Sequence, residues 1–370
     1  MTAPETTPTG DLEPLLADLT NAFGPTGFEG PVRAIMRREL TPSAAAVETD
    51  GLGSLIARFD GTAGRPRVML AAHMDELGLM VRRITDEGYL KFQPLGGWLD
   101  QSLINQRWVV LTATGPIPGV TGIKTVHVMS TEARGRLFRR EDMFIDVGAR
   151  SRQDAEERLG IRPGDPIAPD SRFTPLAGGE RYLAKAWDDR VGLAVMVLAV
   201  RELRSAASGH PNTVFAVSTV QEEVGLRGAQ TSVHAVEPDI GINLESGVAG
   251  DYPGISADEA QEQLGAGPSV FLHDGSMLPN LRLRDFVVDV AREANIAIQF
   301  DVLTGYGQDG SVIQRSRAGA PSINIAIPTR YLHSHNGIVA RHDVLRTARL
   351  VAELVRRLDA DTVARIRAFD

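Results

Sequence analysis

The sequence predicts an α/β fold: a mixed or parallel sheet flanked by helices, interrupted by a small β-rich inserted domain. Three observations carry this. Segments of helical and strand period alternate before residue 76 and again after residue 184. Between them the chain breaks into short strand-like pieces set off by Gly and Pro, the texture of a small β domain. Five boundaries in the α/β parts carry an acid or a histidine where the apolar segment stops, and in an open parallel sheet such ends share the edge where ligands bind.

The elements follow in order. Leu12, Leu15, Leu16, Leu19 and Phe23 share a helical face; Gly24-Pro25-Thr26-Gly27 breaks the pattern, and Val32, Ile35 and Met36 resume it. Residues 46–59 alternate around Asp50-Gly51 as a hairpin does, and residues 67–72 suit a buried strand. The insertion offers strands at 79–84, 89–92, 108–113 and 144–147 and one helical signal at 151–159. After Trp187 come a helix at 190–203, strands at 213–220 and 239–244, a helix at 281–294, strands at 297–303 and 321–327, and a helix at 342–358. The expected division is one discontinuous α/β domain, 1–75 with 185–370, and an inserted domain, 76–184; the Thr/Pro-rich residues 1–10 read as a disordered tail.

Composition narrows the chemistry. Among 370 residues there is no Cys, which removes thiolate metal sites, Cys nucleophiles and disulfides, so any metal must be held by carboxylates and by the eight His. Lys and Arg number 39 against 47 Asp and Glu, a net charge of −8 with no basic run, which argues against a nucleic-acid partner. No basic leader precedes an apolar core and no uncharged apolar window reaches membrane length, so the expectation is a cytoplasmic protein without a membrane partner.

The boundary residues are His73-Met74-Asp75, Asp188-Asp189, Glu222-Glu223, Glu245 and His333. Taken singly each has a plain reading: Asp188-Asp189 as a helix cap worth about 1 kcal/mol, the glutamates as a solvated loop, the histidines as satisfied polar groups. Their coincidence at one sheet edge favours a site. Two divalent cations would be largely neutralised by three carboxylates, leaving Lewis acidity to polarise a carbonyl and acidify a water. Asp75, two residues beyond His73, is placed to accept the second imidazole N–H. Glu222 and Glu223 point in different directions, so one can bind metal while the other moves a proton.

Other motifs are set aside. Gly305-Tyr-Gly-Gln-Asp-Gly310 fits a dinucleotide pattern, but no acid follows before Asp343; its glycines read as a tight turn at the active edge. No serine-hydrolase elbow, zincin or P-loop motif occurs. His335 is second choice to His333 as a ligand. His210 and His234 fall in polar loops, His273 is structural or exposed, His342 starts a helix, and Trp98 and Trp187 read as packing residues. His127, inside the insertion, is either idle or reaches into a site.

The stretches Ala-Ala-His73-Met-Asp75-Glu-Leu-Gly, Trp-Asp188-Asp189-Arg-Val-Gly, Gln-Glu222-Glu223-Val-Gly-Leu-Arg-Gly-Ala, Glu245 with Ala249-Gly-Asp, and Pro-Thr-Arg-Tyr-Leu-His333-Ser together resemble the TET-type dinuclear metallo-aminopeptidases. These are relatives of glutamyl aminopeptidase, some carrying an endoglucanase label; the resemblance runs from about Gly27 to Arg341. It implies a sheet domain of the two-metal exopeptidase type that removes N-terminal residues from short peptides. It implies that Asp188 bridges two metals, zinc or cobalt, with His73 and Glu245 on one and Glu223 and His333 on the other. Glu222 would be the general base, Asp75 would orient His73, Asp189 would lie just outside the ligand set, and the Asp188–Asp189 peptide would be cis. The insertion would form dimers that assemble into a tetrahedral dodecamer, with His127 approaching a neighbouring subunit's site. The sequence departs at Glu245, where many members have Asp, and in carrying His335. The alternatives are a glycoside hydrolase using a carboxylate pair such as Glu222 and Glu245, and a non-catalytic metal-bound scaffold.

Overall fold

Two helices open the chain, α1 (Leu12–Asn21) and α2 (Gly30–Leu40), burying Leu12, Leu15, Leu16 and Leu19 from the first and Val32, Met36 and Leu40 from the second. The computed structural model describes residues 12–205 and 209–368, so the tail expected over 1–10 lies outside the described residues. A hairpin, β1 (Ala46–Thr49) and β2 (Leu55–Phe59), turns where Asp50 accepts the backbone N–H groups of Leu52, Gly53 and Ser54. Strand β3 (Arg67–His73) then enters the centre of the molecule, buried on both faces, which is why it reads as an unbroken apolar run.

The chain next leaves for a closed barrel of six strands: β4 (Gly78–Ile84), β5 (Leu90–Leu95), β6 (Arg107–Thr112), β7 (Gly115–Gly122), β8 (Phe144–Asp146) and β9 (Pro166–Pro169), with a single helical turn α3 (Thr131–Arg134) between β7 and β8. Its core is separate from that of the sheet domain and includes Leu79, Val81, Trp108, Val110, Ile145 and Ile167. Strand β7, Gly-Pro-Ile-Pro-Gly-Val-Thr-Gly, has no counterpart among the expected strands because its Gly and Pro imitate turn signals; closure of the barrel overrides them.

The return differs from expectation. Strands β10 (Thr174–Pro175) and β11 (Arg181–Ala184) fall inside 76–184, yet β11 pairs with a strand of the large sheet, so the excursion ends near Pro169 rather than at residue 184. The remaining elements are α4 (Trp187–Ser205), β12 (Thr213–Thr219), α5 (Arg227–Val236), β13 (Ile240–Val248), β14 (Ser269–His273), α6 (Leu281–Glu293), β15 (Gln299–Val302), α7 (Gly310–Gln314), β16 (Ser322–Arg330), β17 (Gly337–Ala340), α8 (Arg341–Arg357) and α9 (Ala360–Arg367).

The large sheet runs β1-β2-β12-β3-β13-β16-β17-β11-β10, with β14 and β15 branching from β16. Its centre, β12-β3-β13-β16, is parallel, so four carboxyl ends share one edge. Helices α4 and α8 cover one face and α5 and α7 the other. Helix α4 is apolar nearly all round, as its burial between the sheet and α8 demands. Helix α5 was not legible as a helix because its buried side is built from Gly228, Ala229 and Ser232 as well as valines; His234 is on its exposed side, not in a loop. Strand β13 extends past the expected end at Leu244, since Glu245 to Val248 stay in register with Ala326 to Thr329. Among the described residues no helix is long and apolar enough to cross a membrane.

Entry to and return from the barrel are tied together by charge. Glu76, just after Asp75, accepts from Lys185 Nζ at 2.6 and 2.7 Å and from the Gly24 N–H at 3.1 Å, with Arg190 at 3.5 Å. Arg190 itself donates to the carbonyls of Met74, Leu19 and Gly24 and is wholly buried. Burial pushes the Lys185 ammonium down to about 8 against the attraction of Glu76. A lysine depressed in this way takes up its proton later in the folded than in the unfolded chain, so its contribution to stability is complete above about 10.5 and is lost as pH falls to about 8. Urea unfolding across that window should therefore show a slope that K185M lacks; parallel curves would contradict the assignment.

Candidate metal centre

The central strands deliver their terminal side chains to one place. His73 is the last residue of β3, and its backbone N–H donates to Asp189 at 3.1 Å. Glu222 and Glu223 sit in the loop after β12, between left-handed Gln221 and Leu226; Glu245 projects from β13; His333, also left-handed, follows β16. Asp188 and Asp189 precede the regular part of α4, with non-helical dihedrals and a cis peptide between them, as the resemblance implies.

Asp188 is the meeting point. Its Oδ1 lies 2.9 Å from His73 Nε2, and its Oδ2 lies 3.3 Å from His333 Nε2. Glu245 stands 3.7 Å from His73 Nε2, and Glu223 stands 3.9 Å from His333 Nε2. One donor atom each from His73, Asp188 and Glu245 lie within 4.8 Å of one another, and so do those of Asp188, Glu223 and His333. Glu222 approaches the first group, 4.0 Å from His73 Nε2.

Protonation behaviour follows from crowding negative groups out of water. Burial, then the charges of Asp309 and Glu223, raise the Glu222 carboxyl well above its usual range. Burial and Asp189 do the same to Glu245, while burial and Asp188 push Glu223 up to about 8. Against the cost of burial, Glu245 and Asp188 raise His73 well above an ordinary imidazole, and Asp188 and Glu223 bring His333 to about 9. Asp188 stays low although burial opposes it, because His333 and His73 both bond to it. The cationic side chains that reach these carboxylates are those two imidazoles, among the described residues. The cluster calls for added positive charge, and the orphaned, buried Oε1 of Glu223 offers a free acceptor for it. The donor set, two imidazoles and hard carboxylate oxygens, fits divalent cations.

The supporting residues refine the sequence reading. The Nδ1 of His73 faces the Asp75 backbone carbonyl at 3.0 Å, while the Asp75 carboxylate is farther away at 3.5 Å. That carboxylate instead accepts the backbone N–H groups of Glu222 (3.0 Å) and Glu223 (3.2 Å) and the Thr26 hydroxyl (2.9 Å). Burial alone would raise the Asp75 carboxyl; His73 and these donors hold it below its usual value. Asp189, fully buried, accepts from His73 N and Gly192 N and so fastens β3 to the first turn of α4. His335 turns away from the centre and is buried against Trp98 and Trp108, leaving His333 as the histidine that faces Asp188. His127 is exposed, with its ring near the Thr125 hydroxyl and none of the site residues.

Sequence reasoning missed Thr26, Tyr306 and Gly97. Tyr306, in the 305–310 turn expected at the active edge, donates to the Ser246 carbonyl at 2.7 Å and stacks on Phe271. Burial, then the charge of Asp188, raises its hydroxyl well above the normal range. The Gly97 carbonyl faces His333 Nδ1 at 2.7 Å, a backbone contact that no side-chain pattern announces.

A parallel-sheet edge that gathers two acid–histidine groups around one aspartate fits the metallopeptidase class of hydrolase. The chain belongs to the M42 glutamyl aminopeptidase family, whose model matches residues 53–350. It is 35% identical to the lysyl aminopeptidase of Pyrococcus furiosus, covering 93% of this chain and 96% of that protein. The TET aminopeptidase from the marine sediment archaeon Thaumarchaeota archaeon SCGC AB-539-E09 superposes with a TM-score of 0.93 at 44% identity, covering 95% of this chain and 98% of that one. Pyrococcus horikoshii TET1 peptidase, described as assembling into a tetrahedron or a large octahedral shell, superposes with a TM-score of 0.84 at 29% identity, covering 94% of this chain and 100% of that one. The family expected from the motifs is the family found.

Because Asp75 holds the loop of both glutamates, D75N, which exchanges one acceptor oxygen for a donor, should lower peptidase activity or metal affinity by about 10–100-fold. Kinetics and metal titration on the purified variant check this; wild-type values for both would contradict it.

Proposed function

We propose that the protein removes N-terminal residues from short peptides, using two divalent cations, zinc or cobalt, with Glu222 as general base. The observation that carries this reading is the geometry of Asp188, whose two oxygens face two different histidines, each accompanied by a carboxylate from another strand. Asp188 would bridge the ions, with His73 and Glu245 on one side and Glu223 and His333 on the other. Such ions supply Lewis acidity that polarises the scissile carbonyl and acidifies a water.

The residues do the rest. Both histidines turn Nδ1 to a backbone carbonyl, which fixes the tautomer and leaves Nε2 directed into the centre. Glu222, buried 4.0 Å from His73 Nε2 in the loop that Asp75 holds, would take a proton from the attacking water at its carboxylate and pass it to the leaving amine. The Asp75 carboxylate keeps Glu222 and Glu223 in divergent roles by binding both their amides.

The barrel serves in self-association. Leu99, Val126, Val128 and Leu137 on it are 65%, 50%, 63% and 79% exposed, large apolar side chains of the kind that subunits cover. Dimers formed there would build a tetrahedral dodecamer, in keeping with the shells named for the Pyrococcus horikoshii relative. His127, between the two exposed valines, would then approach a neighbouring subunit's site.

E222Q should retain two ions per chain and lose at least about 10³-fold in kcat, on the scale of a general base; activity near wild type would overturn the role. D188N should lose both ions, read by equilibrium dialysis. Offered leucine-p-nitroanilide and carboxymethylcellulose, the metal-loaded protein should cleave the first and stop on chelation. Chelator-resistant sugar release would indicate a glycosidase, and silence on both a scaffold. Static light scattering should give twelve subunits.

A further inference from the structure

The two histidines of the centre take their outer support from different parts of the fold. His73 Nδ1 meets the Asp75 carbonyl, within the same strand-end segment of the sheet domain. His333 Nδ1 meets the Gly97 carbonyl at 2.7 Å, and Gly97 belongs to the turn that follows β5 of the barrel. The same turn presses on the second carboxylate: a Cβ added to Gly96, where φ is +85°, would stand 3.2 Å from Glu223 Oε2. A Cβ on Gly97 would stand 3.3 Å from His333 Nδ1 and 3.5 Å from its Cε1, with no other atom within 4 Å. The Gly96-Gly97 turn of the barrel thus lies beside both residues that accompany Asp188 on one side of the centre.

The turn is also anchored. Trp98 Nε1 donates to the Gly78 carbonyl at 3.0 Å, and its ring lies 5.7 Å from Trp108 and 5.4 Å from His335. Trp108 meets His335 edge-on at 4.4 Å. His335 follows His333 by two residues, so the barrel grips the ligand loop at a second point as well as through Gly97. On the His73 side the contacts to Asp75, Asp189 and Glu245 all lie within the sheet domain.

We infer that the inserted barrel positions only one of the two metal subsites: the Gly97 carbonyl orients His333, and the clasp of Trp98 and Trp108 on His335 holds that turn against the ligand loop. Gly97, Trp98 and His335 are positioning residues; none touches a reacting atom. The inference rests on the reading of Asp188, Glu223 and His333 as ligands. Its consequence is that the two ions depend unequally on the barrel, since an imidazole whose outer N–H partner is displaced binds metal about 10–100-fold more weakly.

The test is equilibrium dialysis of the full chain against buffered Co(II), with the visible absorption of the bound ion recorded at each occupancy. In G97A and H335L one of the two ions should bind about 10–100-fold more weakly while the other stays within about twofold of wild type. The absorption of the weakened subsite should be missing at limiting Co(II). Urea midpoints establish that the variants are folded. G97A is decisive should H335L fail to fold, because its added methyl meets only the His333 ring. Two ions bound as tightly as in wild type, or both weakened equally, would overturn the inference. A wild-type protein that binds fewer than two ions, or keeps both in D188N, would instead overturn the reading of the centre, so the two failures are told apart.

Discussion

Everything in the fold is arranged around the repulsion of carboxylates held together at one sheet edge. Asp188, Glu222, Glu223 and Glu245 come within reach of two imidazoles in a region largely withdrawn from water. Uncompensated charge of this kind is among the most costly arrangements a protein can bury. A polypeptide alone answers it by moving protons, which is why the glutamates are raised and the histidines are raised with them. Added cations answer it without protonation.

The scaffold keeps such a cluster from relaxing by fixing backbone rather than side chains alone. Asp75 binds the amides of both adjacent glutamates, and Asp189 binds those of His73 and Gly192. Behind them Arg190 satisfies three carbonyls from three segments, and the Glu76–Lys185 pair closes the neck through which the barrel leaves and returns. These buried ionic contacts are hydrogen-bonded on several sides, the condition under which a buried charge becomes tolerable. Preorganisation of this type is what a centre needs if its donor atoms are to stay close while repelling one another.

The barrel is more than an appendage on such a scaffold. It has its own apolar core and several exposed apolar side chains, consistent with assembly, yet its Gly97 carbonyl reaches His333 and its Gly96 lies beside Glu223. A rearrangement of the barrel would reach the side of the centre holding Glu223 and His333 and spare the side built within the sheet domain.

The division between sequence and tertiary structure runs along a physical line. His73, Asp188, Glu222, Glu223, Glu245 and His333 were legible because an acid or histidine at the end of an apolar run stands out, and parallel strands bring such ends to a common edge. The helices with strong apolar stripes, such as α4 and α8, were legible for the same reason, whereas α5 with its Gly, Ala and Ser face and β7 with its prolines carried no usable period. Helix α9 and the short strands β14 and β17 were missed too; β14 pairs with β16 and β17 with β11, neighbours far along the chain. Sequence alone therefore determined the family, the fold class and the ionisable residues of the centre. Tertiary structure alone decided that the Asp75 carboxylate holds a loop while its carbonyl meets His73, and that Gly97 of the barrel reaches His333. Those outcomes rest on backbone direction and on carbonyl groups, which every residue carries and no residue type reveals.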